Sequence, residues 1–389
     1  MRKAVPEAKE TAAVDYPALR RSKLVDTLAG EGLDAILVGG TANVSYLTSF
    51  SGDSSYLVLG REGALLVSDG RFTQQIAEEC PGLPAHIRPT GQTLYQATAE
   101  VLGQSRYRAV GFEAAHVTVA EMETLRELAP AISWKGVRDA VEQLRVVKDP
   151  SEVVQIREAI AIAERAFAAL RVFLRGSDSE KDLSDSLEYY VRRCGGKSSS
   201  FPSIVAVGER SALPHAPASA RQVQEGELVL VDWGASGRFY KSDLTRVLVP
   251  RTNSPFQSRA NALRARGQLE QVYAAVLQAQ EQALRIIRPG VPAQEVDNAA
   301  RQVISAAGFG EFFTHGLGHG IGMEVHEAPA LRPNSQTSLQ AGMVMTVEPG
   351  IYLPGWGGVR IEDDVLVTPD GCEVLTSVSR DLQAMICDL

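Results

Sequence analysis

The sequence predicts a two-domain protein, in which an α/β domain over residues 16–147 precedes an α+β domain over residues 148–389. Three observations predict this. The chain has 389 residues, more than one hydrophobic core usually serves. Short apolar segments alternate with amphipathic ones in the first part, which is typical of α/β domains. The motif Asp149-Pro150-Ser151 then places a proline at a helix start.

The first domain begins with a helix and a buried strand. The segment LRRSKLVDTLAGEGLDAILVGG reads as an amphipathic helix, a glycine stop and a short apolar strand. Residues 1–15, which precede this helix, are predicted to form a flexible tail. Further strands are predicted at YLVLG, GALLVSD and YRAVGFE, and helices at RFTQQIAEEC and TVAEMETLRELA.

Composition excludes several classes of function. The chain is 44% hydrophobic and 22% charged, as is usual for a soluble globular protein. Its net charge is −8 and no basic block is present, so we expect no nucleic-acid partner. No apolar run reaches the length of a membrane span, and the N-terminus lacks a signal-peptide core. Four widely spaced cysteines indicate reduced thiols, so we expect a cytoplasmic protein.

The second domain begins with a long amphipathic helix after Asp149. Two helix-rich stretches then alternate with two sets of strands, and glycine-rich, β-branched segments cluster at 204–249 and 316–368. The sequence shows no short tandem repeat.

A first carboxylate pair lies in ELVLVDWGASGRFYKSDLTRVLVP, which reads as two strands of a hairpin. If the hairpin turns about Gly237-Arg238, Asp232 and Asp243 lie directly opposite each other on one face. Two like charges in this position repel unless a cation holds them together. The alternative is that each aspartate is only a turn residue.

A second pair lies in MVMTVEPGIYLPGWGGVRIEDDVLVT. Glu348 and Glu362 are equidistant from Gly355, so they also can face each other across a bend. Glutamates inside such apolar runs are poor core residues unless they are paired or coordinated. The alternative is two unrelated glutamates at strand ends.

Four of the six histidines lie in two short segments of the second domain. These four are His215, His315, His319 and His326. Such clustering beside glycines is a stronger signal than a lone histidine. His319 and His326 are seven residues apart, so strand parity predicts opposite faces unless the chain is irregular there. His86 and His116, in the first domain, are interpreted as structural or surface residues.

Together these residues predict a metal site. Four carboxylates with one or two imidazoles form an oxygen-rich ligand set without thiolate. Two divalent cations best balance about −4 of ligand charge. Such a set favours Mn²⁺, with Co²⁺ and Zn²⁺ as alternatives. Hydrolysis is the reaction that a two-metal site most naturally supports.

The second domain resembles the pita-bread metallopeptidases, which include methionine aminopeptidase, aminopeptidase P and prolidase. The segments that carry the resemblance are FPSIVAVGERSALPHAP, VLVDWGASGRFYKSDLTR, HGLGHGIGMEVHEAP, MTVEPGIY and GVRIEDD. The first domain resembles the α/β domain of aminopeptidase P, prolidase and creatinase, and LRVVKDPSE is similar to their inter-domain join. The resemblance implies a creatinase N-terminal-like domain followed by a pita-bread catalytic domain.

The resemblance also implies five metal ligands. Asp232 chelates one ion, Asp243 and Glu362 bridge both ions, and His319 and Glu348 complete the coordination of the other.

Further roles follow from the same resemblance. His215 and His326 steady the substrate carbonyl and the tetrahedral intermediate. Glu348 passes a proton toward the prolyl nitrogen. His315 lies near the prolyl subsite, and Arg360 orients the bridging carboxylates or the end of the substrate.

One position departs from the family pattern. Several prolidases bind the free carboxylate of the dipeptide with an arginine directly after the VHExP segment, but this chain has Ala330 there. Arg332 is the nearest arginine and can substitute, or an arginine from a partner subunit can reach in. Otherwise the enzyme accepts longer peptides. A solvated loop position is an equally plausible interpretation of Arg332.

The expected activity is hydrolysis of the amide bond between an N-terminal residue and proline. A dipeptidase (prolidase) is preferred because of the compact length, and an aminopeptidase acting on longer peptides is the alternative. Creatinase lacks the metal ligands, and methionine aminopeptidase usually lacks the first domain. A non-catalytic binding scaffold is a remote alternative because no ligand is missing. The resemblance also implies a homodimer.

Overall fold

The structure is a computed structural model and describes residues 14–224, 226–251 and 259–388. Nearly all of the predicted tail, residues 1–15, lies outside the described residues. The chain divides into two compact units, of which the first ends at Leu144 and the second begins at Arg145. The boundary 147/148 between two domains stays a prediction. None of the described helices has the length and apolar character that crossing a membrane requires.

The first unit is built on one six-stranded sheet. Its strands are β1 Ala35–Val38, β2 Tyr56–Gly60, β3 Gly63–Asp69, β4 Ala85–Arg88, β5 Ala109–Glu113 and β6 Ser133–Val137. Its helices are α1 Tyr16–Gly30, α2 Thr41–Thr48, α3 Thr73–Glu79, α4 Leu94–Gln104 and α5 Val119–Leu128. The strand order is β4-β3-β2-β1-β5-β6, with antiparallel pairs around β2 and parallel pairs elsewhere. The predicted strands and helices of this region are confirmed.

Local signals explain the first helix. The Asp15 side chain accepts a hydrogen bond from the backbone N–H of Ala18 at 3.0 Å, and Pro17 stands in the first turn. Leu24 and Leu28 are buried on its inner face, so periodic apolar positions fix the side that packs on the sheet.

The second unit contains the longer helices and most of the strands. The short helix α6 Glu142–Arg145 leads into it, and α7 Pro150–Phe173, α8 Glu180–Arg193, α9 Arg259–Ile286 and α10 Ala293–Ala306 follow. Its strands are β7 Ser198–Ser199, β8 Ile204–Val207, β9 Val229–Trp233, β10 Ala235–Ser236, β11 Leu244–Arg251, β12 Gly318–Gly320, β13 Glu327–Leu331, β14 Val344–Val347, β15 Gly350–Leu353, β16 Gly357–Arg360, β17 Asp363–Val367, β18 Cys372–Val374 and β19 Ile386–Asp388.

The predicted start of α7 is confirmed by its cap. The Asp149 side chain accepts hydrogen bonds from the N–H groups of Ser151 and Glu152, and the Glu152 side chain bonds back to the N–H of Asp149 at 2.9 Å. Further along, α7 is fixed against β9: the Trp233 indole donates to the Ala163 carbonyl at 2.9 Å, and its ring stacks on Phe167.

Two main sheets lie in the second unit, each packed on its own pair of helices. The first has the order β19-β11-β9-β8 and shares a core with α7 and α8. The second has the order β13-β12-β14-β17-β18 and shares a core with α9 and α10. An isolated bridge between Thr245 and Glu362 joins β11 of the first sheet to the residue that directly precedes β17 of the second. The two sheets therefore meet where the predicted metal ligands lie.

The register of the first hairpin differs from the prediction. Asp232 is paired with Thr245, not with Asp243, so the turn is centred one residue later than Gly237-Arg238. The prediction that the two aspartates lie directly opposite each other is wrong. Their shared face is retained, because Asp243 precedes Thr245 by two residues and side chains alternate with a period of two.

The register predicted around Gly355 is confirmed. Gly350 pairs with Arg360 in the ribbon β15–β16, and Val347 pairs with Asp363 in β14–β17, both symmetric about residue 355. Glu348 and Glu362 occupy the irregular step between these two paired segments. They therefore lie at equivalent positions on facing strands, as the symmetry predicts.

Candidate metal centre and catalytic cavity

One cavity of about 690 Å³ in the second unit brings together all ten residues that the sequence singled out. These are His215, Asp232, Asp243, His315, His319, His326, Arg332, Glu348, Arg360 and Glu362. Phe201, Ile204, Pro214 and Val325 contribute apolar wall. The cavity combines a charged floor with apolar sides, as small-molecule sites usually do.

Strand ends place four carboxylates at the floor of this cavity. Asp232 lies near the end of β9, Asp243 directly before β11, Glu348 directly after β14, and Glu362 directly before β17. We call these four the cavity carboxylates. They come from both sheets, and all are buried or nearly so. Strand ends suit this task because the backbone there is rigid yet opens to a crevice.

Burial raises the pKa values of these carboxylates, and repulsion between neighbouring carboxylates adds to the shift for three of them, Asp243, Glu348 and Glu362. Burial raises the pKa of Asp243 well above its ordinary value, and the charges of Glu362 and Asp232 raise it further. Burial also raises the pKa of Glu362, with Glu348 as the largest neighbouring charge. For Glu348 burial dominates and the pKa rises to about 8, although Arg360 opposes the shift. The four groups cannot all ionise without added positive charge.

The donor set fits divalent metal ions. Among the described residues, Asp232 Oδ1 and Asp243 Oδ1 are buried carboxylate oxygens without a hydrogen-bond partner. Ligand atoms of Asp243, His319 and Glu362 all lie within 4.8 Å of one another. Unpartnered buried carboxylate oxygens are costly unless a cation binds them. Oxygen donors with one imidazole suit Mn²⁺, Co²⁺ or Zn²⁺.

The imidazole of His319 is oriented for coordination. Its Nδ1 lies 3.1 Å from the Gly320 carbonyl, so Nδ1 carries the proton and donates there. Its Nε2 then presents a lone pair to Glu348 at 3.5 Å and Asp243 at 3.7 Å. Burial lowers the pKa of His319 to about 4, which keeps the ring neutral near pH 7. The pKa values of Glu348 and Asp243 are raised, so either a proton or a cation between the three groups stabilises their close approach.

A glycine allows the approach of His319. A Cβ atom on Gly318 would lie 2.1 Å from the Thr346 carbonyl oxygen, so only glycine lets β12 come this close to β14. The glycine-rich run that marked the segment in the sequence is therefore a packing requirement.

His326 contacts His319 despite the parity of their spacing. The two rings meet edge to face with centroids 4.4 Å apart. The ladder between β12 and β13 is irregular after His319, and residues 321–326 form bends rather than strand. Of the two alternatives that the spacing left open, the irregular chain is confirmed.

His315 is held by a hydrogen-bond chain. Its Nδ1 lies 2.7 Å from the Gly316 carbonyl and its Nε2 lies 2.9 Å from the Tyr352 hydroxyl. Burial lowers the pKa of His315 to about 4, and the positive charge of Arg360 adds to the shift. The ring is therefore neutral and fixed in direction. His215 lies at the cavity rim with an exposed residue surface.

Arg360 connects the two sheets at the floor. Its Nη2 donates to Asp232 Oδ2 at 2.6 Å, and its Nε donates to Thr245 Oγ1 at 3.0 Å. Thr245 in turn donates to Glu362 Oε2 at 2.6 Å. In this arrangement the guanidinium orients carboxylates from both sheets.

Sequence reasoning missed Tyr352 and Thr245. The Tyr352 hydroxyl accepts from Arg360 Nη1 at 2.7 Å and is the partner of His315. The alternation of side chains along a strand could have indicated both residues. Thr245 lies on the same face as Asp243, and Tyr352 lies on the same face as Gly350, the partner of Arg360.

Arg332 and Ala330 occupy different places at the cavity. Ala330 pairs directly with His319 across β12–β13, so its small side chain lies on the His319 face. Arg332 is exposed, lines the cavity, and forms no ion pair among the described residues. A cation is thus present at the rim, but not at the position of the family arginine.

Comparisons with known proteins identify the family. The profile of metallopeptidase family M24 matches residues 154–369, and that of the creatinase/prolidase N-terminal domain matches residues 20–147. An uncharacterized peptidase of Bacillus subtilis, YqhT, is 36% identical over 364 residues, which cover 94% of this chain and 99% of the relative.

Two solved structures share the fold over nearly the whole chain. The Xaa-Pro dipeptidase from Bacillus anthracis is 34% identical with a TM-score of 0.87, covering 96% of this chain and 100% of its own. The X-Pro aminopeptidase from Thermotoga maritima is 34% identical with a TM-score of 0.85, covering 95% of this chain and 100% of its own.

The family implies divalent metal ions, and the carboxylate-rich floor of the cavity fits them. The fold class predicted from the sequence is confirmed by the two profiles and by the solved structures. The chain belongs to metallopeptidase family M24 and is a peptidase with a creatinase-type N-terminal domain and a pita-bread catalytic domain.

Proposed function

We propose that this peptidase uses two divalent ions to hydrolyse the amide bond between an N-terminal residue and proline. The observation that carries the proposal is the convergence of the cavity carboxylates with His319, where buried ligand oxygens lack any partner among the described residues. The names of its relatives supply the proline specificity, since solved relatives are described as Xaa-Pro peptidases.

Five side chains would hold the ions. As the family resemblance implies, Asp232 would hold one ion, His319 and Glu348 would hold the other, and Asp243 and Glu362 would serve both. Support comes from the charge imbalance: among the described residues that line the cavity, Arg360 is the cation in contact with the four carboxylates, and it is already paired with Asp232. Mn²⁺ is the proposed native metal, with Co²⁺ and Zn²⁺ as alternatives.

When bound, the ions polarise the scissile carbonyl and lower the pKa of water. The remaining work falls to side chains of the cavity. His326 and His215 donate hydrogen bonds to the substrate carbonyl oxygen as negative charge develops there. His315, fixed by Tyr352, borders the prolyl ring. Arg360 keeps Asp232 in place through their ion pair.

Glu348 is the proposed proton carrier. Its carboxyl is nearly buried and lies next to His319, with Thr346 donating to Oε1 at 3.2 Å. A carboxyl in this position can take up a proton as water attacks and pass it to the prolyl nitrogen as the bond breaks.

Dipeptidase activity is preferred over aminopeptidase activity. Overall identity does not separate them, because the dipeptidase and the aminopeptidase are each 34% identical. A dipeptidase must bind a free carboxylate one residue beyond the scissile bond, and Arg332 offers a cation at the cavity rim. Cleavage of longer peptides is the second candidate, favoured by Ala330 in place of the family arginine.

The test compares Ala-Pro with Ala-Pro-Ala in the presence of Mn²⁺. Both peptides contain one Ala-Pro bond, and we expect the enzyme to cleave this bond faster in the dipeptide. Arg332→Met should raise KM for Ala-Pro without changing it for the tripeptide, whereas Arg288→Met, at an exposed position outside the cavity, should change neither. Cleavage of the tripeptide alone would exclude a dipeptidase, and cleavage of neither would overturn the proposal.

A cytoplasmic homodimer completes the proposal. The four cysteines are unpaired, as is usual in a reducing compartment. Light scattering after size-exclusion chromatography measures the assembly, and a monomeric mass excludes the dimer.

A further inference from the structure

A buried ion cluster lies at the start of the second unit, outside the proposed catalytic residues. It consists of Arg145, Lys148 and Glu327, which we call the join cluster. Arg145 Nη2 donates to Glu327 Oε1, and Lys148 Nζ donates to Glu327 Oε2 at 3.2 Å. The exposed fractions of the three side chains are 2%, 0% and 7%. Burying three charges is costly, so such a cluster needs a reason other than stability.

The carboxylate of Glu327 closes the irregular segment 321–326. Its Oε1 also accepts the backbone N–H of Glu324 at 3.0 Å, which ties the middle of the segment to the residue that follows it. A Cβ atom on Gly322 would lie 2.7 Å from Glu327 Oε2, so the turn is wrapped tightly around the carboxylate. Arg145 reinforces the turn from outside by pairing with Glu324 at 2.8 Å.

The cations of the cluster are themselves held by backbone contacts. The N–H of Lys148 donates to the Gly342 carbonyl at 2.9 Å, and Val147 forms a bridge with Met343. Both contacts lie directly before β14, the strand that leads to Glu348. The cluster therefore links the turn to the same strand that carries part of the cavity floor.

His326 depends on this link for its position. It directly precedes Glu327, and among the described residues its imidazole forms no hydrogen bond; its ring contact is with His319. A side chain without polar partners takes its direction from the backbone that carries it. That backbone is irregular on one side and is anchored on the other by Glu327.

We propose that Arg145 and Lys148 are positioning residues, which through Glu327 hold His326 against His319 in the cavity. The proposal rests on the role of His326 in the proposed function, but the position of His326 can be tested without substrate. A purely structural ion cluster would change stability and leave the environment of His326 and the turnover number as they are.

The experiment follows the histidine side chains by NMR in protein labelled with ¹³C-histidine and loaded with Zn²⁺. Zn²⁺ is diamagnetic and leaves signals near the metal site visible, whereas Mn²⁺ would broaden them. The chain has six histidines, so the spectrum contains few signals. The signal of His326 is identified by its absence from the spectrum of His326→Gln. Arg145→Met should shift the His326 signal and lower kcat for Ala-Pro roughly ten- to hundredfold, with KM and metal content close to wild type. Arg145→Lys, which keeps the charge but loses the guanidinium geometry, should lie between wild type and Arg145→Met.

The matched control is Arg157→Met. Arg157 forms an ion pair with Glu373 at 2.7 Å, but the two side chains are 43% and 46% exposed. This variant should leave the His326 signal and kcat unchanged. If Arg145→Met does not fold, Arg145→Lys decides alone.

Two outcomes overturn the positioning role: an unmoved His326 signal in a folded Arg145 variant, or an unchanged kcat in the same variant. If wild-type protein cleaves neither peptide, the proposed function fails, while a shifted His326 signal still supports the link between the join cluster and the turn.

Discussion

Two sets of buried carboxylates in the second unit differ in how their charge is balanced. The cavity carboxylates face one another, and their pKa values are raised by burial and mutual repulsion. The carboxylate of Glu327 is buried as well, but Lys148 and Arg145 outweigh the desolvation and its pKa is lowered. The first set leaves oxygens without partners, whereas Glu327 has partners on both oxygens. Side-chain cations thus balance the charge of Glu327, whereas the cavity carboxylates keep buried oxygens that a bound metal ion would satisfy.

The first unit also contains a group of acidic residues and a histidine, but its carboxylate has partners in the protein. Ligand atoms of Glu113, His116 and Glu142 lie close enough for a metal. However, the Glu113 carboxylate accepts the N–H groups of Gly39 and Gly40 at 2.8 Å and the Asn43 amide at 2.6 Å. Proximity of acidic groups alone therefore does not indicate a metal site, because donors of the protein can satisfy them.

The largest expected effect comes from removing a charge among the cavity carboxylates. Asp243→Asn should reduce metal binding and lower kcat/KM by about a thousandfold, since metal ions contribute several kcal/mol to transition-state stabilisation. In metal-free protein near pH 7 the same substitution should raise the melting temperature, because Asp243 must either repel its neighbours or take up a proton on folding, and asparagine does neither. Kinetics, metal analysis and calorimetry measure the three effects. Asp370→Asn, at an exposed turn, serves as the control, and full activity of Asp243→Asn would contradict the comparison.

The next largest effect is expected at Asp363, a buried carboxylate whose charge is neutralised by an arginine. Arg246 is fully buried, pairs with Asp363 at 2.7 Å, and donates to the Glu362 carbonyl at 2.6 Å. Arg246→Met should lower the free energy of unfolding by about 3–5 kcal/mol, because it removes the closest cation from a buried carboxylate and leaves it only the longer pair with Arg380 at 3.8 Å. Denaturant unfolding measures the loss. The double substitution Arg246→Met/Asp363→Leu should recover part of it, and an absence of recovery would show that the carbonyl contacts, not the charge, dominate.

Metal removal should change how stability depends on pH. In the metal-free protein the pKa of Glu348 is raised to about 8, and those of Asp243 and Glu362 are also raised. Through these three carboxyls the folded state holds more protons than the unfolded state. His315 and His319, with pKa values lowered to about 4, act in the opposite direction up to about pH 6.5. Stability should therefore fall as pH rises from about 6.5 to 8, by up to about 1.4 kcal/mol per pH unit for each carboxyl. Melting temperatures of chelated protein at about pH 6.5 and pH 8 test the sign, and a higher value at pH 8 would refute it.

The smallest effect is expected at an exposed ion pair. Arg157→Met should change the free energy of unfolding by less than about 1 kcal/mol, because solvent already screens its pair with Glu373. Thermal unfolding at low and high salt measures it. If Arg157→Met lowered the free energy of unfolding as much as Arg246→Met does, buried and exposed ion pairs would not differ in their contribution to stability.

Much of the fold and site could be predicted from the sequence because the signals are local. The helix cap at Asp149 can be recognised from Asp149 and the three residues that follow it. Glu348 and Glu362 can be paired because each lies seven residues from Gly355, where the chain bends. Parity preserved the shared face of Asp232 and Asp243 even though the turn centre was misplaced by one residue. Turn position is less certain because glycine allows several turn geometries at similar cost.

Other features depend on contacts that no local pattern encodes. Thr245 reaches Glu362 across 117 residues, and Arg145 reaches Glu327 across 182. The contact between His326 and His319 requires an irregular turn whose shape is held by Glu327. Tyr352 was overlooked because an inward tyrosine is an ordinary core residue until its hydroxyl meets His315 and Arg360.

The sequence by itself determined the residue types of the site, the faces on which they lie, and the limits of many helices and strands. These follow from hydrogen bonding and side-chain periodicity over a few residues. Only the tertiary structure decided which of these residues share one cavity, which carboxylates are left without a balancing charge, and which cations at the join hold the turn that carries His326. Burial and Coulomb interactions depend on distance in space, and packing of two sheets sets that distance.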